Sequence, residues 1–188
     1  MPLIALIGLP GCGKSTVGRH LARHLGCRFV DSDAEIERRI GCSIKEFFER
    51  EGEAPFRDIE QSVIEDIALL PEAVLATGGG TVIREANRAT LQRTSTAVYL
   101  HSAPEDLYRR LRHDTQRPLL QVRDPLRKLR DLYVERDPLY RRTAHFLIET
   151  GRPSIHTLVN MILMQLELAG IVDAAQVPSP AEPARSGR

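Results

Sequence analysis

Leu3-Ile4-Ala5-Leu6-Ile7-Gly8-Leu9-Pro10-Gly11-Cys12-Gly13-Lys14-Ser15-Thr16 stands almost at the start of the chain. Five apolar residues in a row have the length and composition of a buried parallel strand. Gly8 to Ser15 then fits the pattern G-x-x-x-x-G-K-S, and Val17, Leu21 and Leu25 recur behind it at helical spacing. Strand, glycine loop and helix in that order make a phosphate-binding loop. The glycines let backbone N–H groups close around phosphate oxygens, and the helix N-terminus adds partial positive charge. Lys14 is placed to reach the β- and γ-phosphates, and the Ser15 hydroxyl to ligate Mg²⁺. The stretch predicts binding of a nucleoside triphosphate.

Composition sets the frame around that loop. A chain of 188 residues, 42% of them hydrophobic, fits one α/β domain with a full core. The net charge of +1 supplies no basic field for a nucleic acid. No apolar run approaches the ~20 residues of a membrane span, and the N-terminus leads into a strand rather than a signal peptide. Cys12, Cys27 and Cys42 are isolated, with no C-x-x-C pair and no zinc ligand set. An odd count with one thiol in a phosphate loop points to reduced cysteines and a cytoplasmic protein. No interface motif stands out, so a monomer is expected.

Strand-like and helical runs alternate along the chain. Residues 28–30, 73–76, 96–100 and 146–148 add four strand candidates to 3–7. A helix over 43–50 is opened by a capping box of Ser43 and Glu46. Ile155, Leu158, Val159, Ile162, Leu163 and Leu166 mark the last helix by their spacing. Such alternation gives a parallel sheet with helices on both faces and ligands at the carboxyl ends of the strands. The pattern stops after Gly170. Residues 1–170 are expected to form the domain, and 171–188, rich in Pro and Ala, a disordered tail.

Residues at strand ends carry the candidate chemistry. Asp31 and Asp33 follow the second strand, and if the strand continues their carboxylates face the same way. One could hold the metal's water shell while the other orients an attacked hydroxyl. Equally, Ser32 and Glu35 could form a capping box for a helix over 34–40, which explains those two residues without requiring Asp31. Gly78-Gly79-Gly80 closes the third strand and allows a ligand close to the backbone. Arg57 follows Pro55, which suits a helix N1 position, and Arg136 precedes Pro138-Leu139-Tyr140. Arg117 lies in the polar segment 113–124, where a mobile cation could close as a lid over transferring phosphate.

As an ordered set, these motifs make the chain resemble the shikimate kinases, of the nucleoside-monophosphate-kinase branch of phosphate-loop proteins. The resemblance runs over about residues 3 to 170, through the loop at 8–15, Asp31-Ser32-Asp33, Gly52-Glu53 with Phe56-Arg57, Gly78-Gly79-Gly80, Arg117-Pro118-Leu119-Leu120 and Arg136. It implies a three-layer α/β fold whose five parallel strands run in the order 2-3-1-4-5, with a lid over 113–124 and a substrate-binding region over 31–60. It implies transfer of the γ-phosphoryl of ATP to the 3-hydroxyl of shikimate, in aromatic amino-acid biosynthesis, with Mg²⁺.

Carried over by position, Gly11, Cys12, Gly13, Lys14, Ser15 and Thr16 would hold the phosphates, with Ser15 and Asp31 at the metal. Asp33 would orient or deprotonate the attacking hydroxyl. Arg57 and Arg136 would clamp the shikimate carboxylate, beside Gly78, Gly79 and Gly80. Arg117 would act on the transferring phosphoryl, and Arg110, Arg152 and Pro153 would frame the adenine. Two arginines suit a carboxylate and a single mobile one suits developing phosphate charge. No covalent nucleophile is needed for such a transfer. Cys12 stands where the family would have a smaller serine or alanine, and a thiol in that setting is expected to react with alkylating reagents. A kinase for another small hydroxyl compound, such as gluconate, would share the loop and lid without the paired arginines. A nucleotide switch would keep the loop but lose Asp33, Arg57 or Arg136.

Overall fold

The computed structural model describes residues 2–112, 122–151 and 153–173. Arg117, most of the expected lid, Arg152 and residues 174–188 lie outside them.

All five residues of β1 (Leu3–Ile7) are buried. It is hydrogen-bonded to β3 (Ala73–Ala76) on one side and to β4 (Ser95–His101) on the other. Outside these lie β2 (Arg28–Asp31), paired to β3, and β5 (Phe146–Glu149), paired to β4. Every pairing is parallel and the order is β2-β3-β1-β4-β5, as the resemblance implies. β1 and β3 are apolar throughout and β4 is buried up to Leu100, because helices cover both faces, whereas the edge strands mix buried and exposed residues.

Right-handed crossovers explain the layers. The step from β1 through α1 (Lys14–Leu25) to β2 runs toward one edge of the sheet. The steps through α4 (Glu53–Ile67), α5 (Glu85–Thr94), and α6 (Pro104–Leu111) with α7 (Pro125–Thr143) run toward the other and fall on the opposite face. The terminal helix α8 (Ile155–Leu168) packs on α1 and completes its layer. No helix among the described residues is long and apolar enough to cross a membrane.

Register sets the height of the functional edge. Leu6 and Asp31 both pair with Ala76, so the three form one row across β1, β3 and β2. Thr77 continues this row, its N–H and its hydroxyl each donating to Leu6 O at 3.1 Å. The phosphate loop, the Asp31 turn and the glycine segment therefore leave the sheet side by side.

Local details depart from the sequence expectation at three points. The strand β2 runs on to Asp31, and Asp31 itself caps α2 (Ser32–Ile40), its Oδ1 accepting from the N–H groups of Asp33 at 3.1 Å and Ala34 at 3.4 Å. Ser32 is no cap. It is fully buried, and its Oγ accepts from the Gly78 N–H at 3.0 Å, a donor in the segment after β3 that would otherwise be orphaned. Pro55 stands third in α4 rather than first, still within the turn whose N–H groups have no intrahelical partner. The capping box of α3 (Ile44–Glu51) is present as expected: Ser43 Oγ accepts from the Glu46 N–H and Glu46 Oε2 from the Ser43 N–H.

Candidate active site

A cavity of about 310 Å³ opens at the carboxyl edge of the sheet. Pro10, Gly11, Gly13, Lys14, Ser15 and Thr16 form one wall, and Asp31, Asp33, Thr77 and Gly79 the other. Gly11 and Gly13 have φ of 81° and 100°, the left-handed region that curls the loop toward the N-terminus of α1. Lys14 is buried against its own loop, with Nζ 2.7 Å from Gly8 O and 2.9 Å from Leu9 O. Cys12 is also buried, at 1% exposure, so it lacks the access that an alkylation-prone thiol needs. The expected reactivity of Cys12 does not fit this placement.

Ser15 Oγ donates to Asp31 Oδ2 at 2.6 Å. A hydroxyl and a carboxylate side by side on a cavity wall are a hard oxygen donor set, and they fit Mg²⁺. Asp33 reaches the same cavity from the first turn of α2, not by strand alternation with Asp31, since the strand has ended. Its carboxyl is pushed up to about 6, first by burial and then by the Asp31 charge, with Lys14 opposing and Glu60 and Glu37 adding to the rise.

The three glycines serve close approach rather than unusual dihedrals, because none has a positive φ. A Cβ on Gly78 would lie 2.5 Å from Asp33 Oδ1, one on Gly79 2.7 Å from the Pro10 ring, and one on Gly80 2.5 Å from both terminal nitrogens of Arg57. Protein side chains thus occupy the space that the missing Cβ atoms leave. Arg57 is held by Glu60 at 2.7 Å and Glu53 at 3.1 Å. Glu60 is itself buried and takes a second hydrogen bond from Thr81 Oγ1 at 3.0 Å.

Glu60 escaped the sequence reading. Its signal was available: it falls in the apolar stripe of Phe56, Val63, Ile64 and Ile67, where an unpaired acid would not be tolerated.

Arg136 projects from α7 with Nε buried and without a hydrogen-bond acceptor among the described residues, 3.6 Å from Glu135 Oε1. One turn on, Tyr140 Oη donates to Gly79 O at 2.5 Å. Arg57 and Arg136 do not line the phosphate cavity but attach to the glycine segment beside it, Arg57 against Gly80 and Arg136 through Tyr140 and Gly79. Arg110 is farther off, donating to Ser102 Oγ at 2.9 Å where Ser102 meets Thr150, just past the end of β5. Pro153 follows that junction, and Arg117 and Arg152 lie outside the described residues.

A G-x-x-x-x-G-K-S loop between a parallel strand and a helix, facing carboxylates at the end of a neighbouring strand, places the chain in the α/β phosphate-loop class. Known proteins narrow the class. The sequence model described as shikimate kinase matches residues 10–167. A shikimate kinase of Paracidovorax citrulli is 59% identical over 180 residues, covering 94% of this chain and 96% of its own length. One from Ralstonia nicotianae is 51% identical over 177 residues, 94% of this chain and 93% of its own. The solved shikimate kinase from Acinetobacter baumannii, in complex with shikimate, superposes with a TM-score of 0.84 at 46% identity, over 92% of this chain and 96% of that one. The chain belongs to the shikimate kinase family, ATP-dependent kinases acting on a hydroxyl acceptor.

Proposed function

We propose that this enzyme transfers the γ-phosphoryl of ATP to the 3-hydroxyl of shikimate, yielding shikimate 3-phosphate and ADP for aromatic amino-acid biosynthesis. The observation that carries the reading is the shared cavity, with a phosphate loop on one wall and Asp33 and Gly79 on the other. Backbone N–H groups from Gly11 to Thr16, with Lys14, bind the β- and γ-phosphates. Ser15 and Asp31 would hold Mg²⁺, which would supply neutralisation of phosphate charge. Asp33 accepts the proton of the attacking hydroxyl as its oxygen bonds to phosphorus and the bond to the leaving ADP oxygen breaks.

Arg57 and Arg136 take the substrate carboxylate, with backbone contacts from Gly78, Gly79 and Gly80. The support for this is two arginines converging on one glycine segment next to the phosphate cavity. Arg117 from the lid over 113–124 completes the charge around the transferring group, and Arg110, Arg152 and Pro153 frame the adenine. The catalytic unit is residues 1–170, acting as a monomer. The three free thiols support a reducing cytoplasm.

The test is ADP release with shikimate, gluconate, AMP or water as acceptor. Release with shikimate should exceed each of the others by orders of magnitude. Comparable release with gluconate or AMP, or release independent of any acceptor, overturns the reading.

A further inference from the structure

Tyr140 is fully buried, its ring centroid 5.0 Å from that of Tyr99. From α7 its hydroxyl reaches Gly79 O at 2.5 Å, and the Arg136 guanidinium adjoins the same hydroxyl. Gly79 is also where Pro10 of the phosphate loop packs on the backbone. One phenolic oxygen therefore joins the helix bearing Arg136 to the segment where phosphate loop and glycines meet. The planar trans peptide makes this bond directional: fixing Gly79 O also fixes the Gly80 N–H on the far side of the same plane.

We propose that Tyr140 is a positioning residue for the acceptor substrate, its hydroxyl holding Arg136 and the Gly79–Gly80 peptide in one register so that guanidinium and backbone meet the same carboxylate. This rests on the shikimate reading and deepens it. A purely structural role would not need the hydroxyl, because the ring alone fills the core against Tyr99. Burial pushes the Tyr140 hydroxyl above the ordinary phenol range, with Arg136 opposing, so it stays a donor at any working pH. Tyr99 supplies the control. Its hydroxyl donates to Asp137 Oδ1 at 2.9 Å at the same junction of α7 and the sheet, but its hydroxyl bond is to α7, not to Gly79.

The experiment compares the parent full chain with Tyr140→Phe and Tyr99→Phe, measuring shikimate and MgATP dissociation constants by calorimetry, steady-state KM and kcat, and melting. Tyr140→Phe should raise the Kd and KM for shikimate roughly tenfold, the scale of one buried hydrogen bond, and leave MgATP binding unchanged. Tyr99→Phe should bind shikimate as the parent does, whatever it loses in melting temperature. The proposal is overturned if Tyr140→Phe keeps parental shikimate affinity, weakens both ligands alike, or does not fold, or if Tyr99→Phe weakens shikimate equally. A parent that does not phosphorylate shikimate fails the functional reading and this inference together. A parent that does, beside an unaltered Tyr140→Phe, fails this inference alone.

Discussion

Asp33 keeps its charge in a wall that penalises it, since burial and the neighbouring Asp31 raise its pKa from 3.8 to about 6. A carboxyl with the higher value in the folded chain binds more protons there than in the unfolded chain between those two pH values. Stability therefore falls as pH rises through that window and stays lower above it, by on the order of 2–3 kcal/mol. In metal-free buffer Asp33→Asn should melt above the parent near pH ~7.5, the gap closing by pH ~4, while kcat drops about 10²–10⁴-fold. A variant that melts lower near neutral pH contradicts the assignment. The two arginines differ in a way that their residue type hides. Arg57→Ala strips the buried Glu60 of its cation, whereas the carboxylate beside Arg136 is that of Glu135, which is 57% exposed. Both should weaken shikimate binding by about 2–5 kcal/mol with MgATP spared. Only Arg57→Ala should also lower the melting temperature clearly, so Arg136→Ala is the cleaner calorimetric test of the carboxylate clamp.

At the scale of elements, the glycine segment after β3 works as a hub on which each glycine receives a different neighbour. Gly80→Ala would collide with the terminal nitrogens of Arg57, and moving them disturbs the bonds to Glu60 and Glu53, so the melting temperature should fall while the KM for shikimate rises severalfold. Gly79→Ala would collide with the ring and backbone nitrogen of Pro10, so its cost should appear in the KM for MgATP and in melting temperature. Steady-state kinetics on the pair separates them, and identical effects on both substrates would argue against the hub. The same segment shows which parts of the fold could be seen in the sequence. β1, the phosphate loop and α1 were legible because their signals are contiguous, as was the Ser43–Glu46 box. The start of α2 was not, because Asp31 and Ser32 are both good caps and the decision is made by Gly78, whose N–H claims the Ser32 hydroxyl from the segment after β3. Tyr140 stands one helical turn from Arg136, yet its bond to Gly79 spans 61 residues and leaves no local trace.

For the whole molecule, sheet order is what gathers the site. With β2, β3 and β1 adjacent, the Asp31 turn, the glycine segment and the phosphate loop rise from one row of the sheet, while α7 brings Arg136 and Tyr140 across from the other half. Everything in this arrangement is complete by the end of α8, which closes the α1 face with Leu158, Val159, Ile162, Leu163 and Leu166 buried. The chain does not stop contributing at Gly170, however. The Ile171 N–H donates to Leu166 O at 2.9 Å, and the Ile171 and Val172 side chains pack against the core. Residues 174–188 hold little apolar surface in their sequence, with Val177 as the one large aliphatic side chain. Two truncations should therefore behave differently. A chain ending at Asp173 should keep the parental melting temperature and kcat. One ending at Gly170 should lose about 1–3 kcal/mol, the scale of two partly buried aliphatic side chains, with KM values unchanged. Thermal melting of both chains beside the full-length protein checks this, and a clear loss on removing only 174–188 would place a structural or functional contact in that segment.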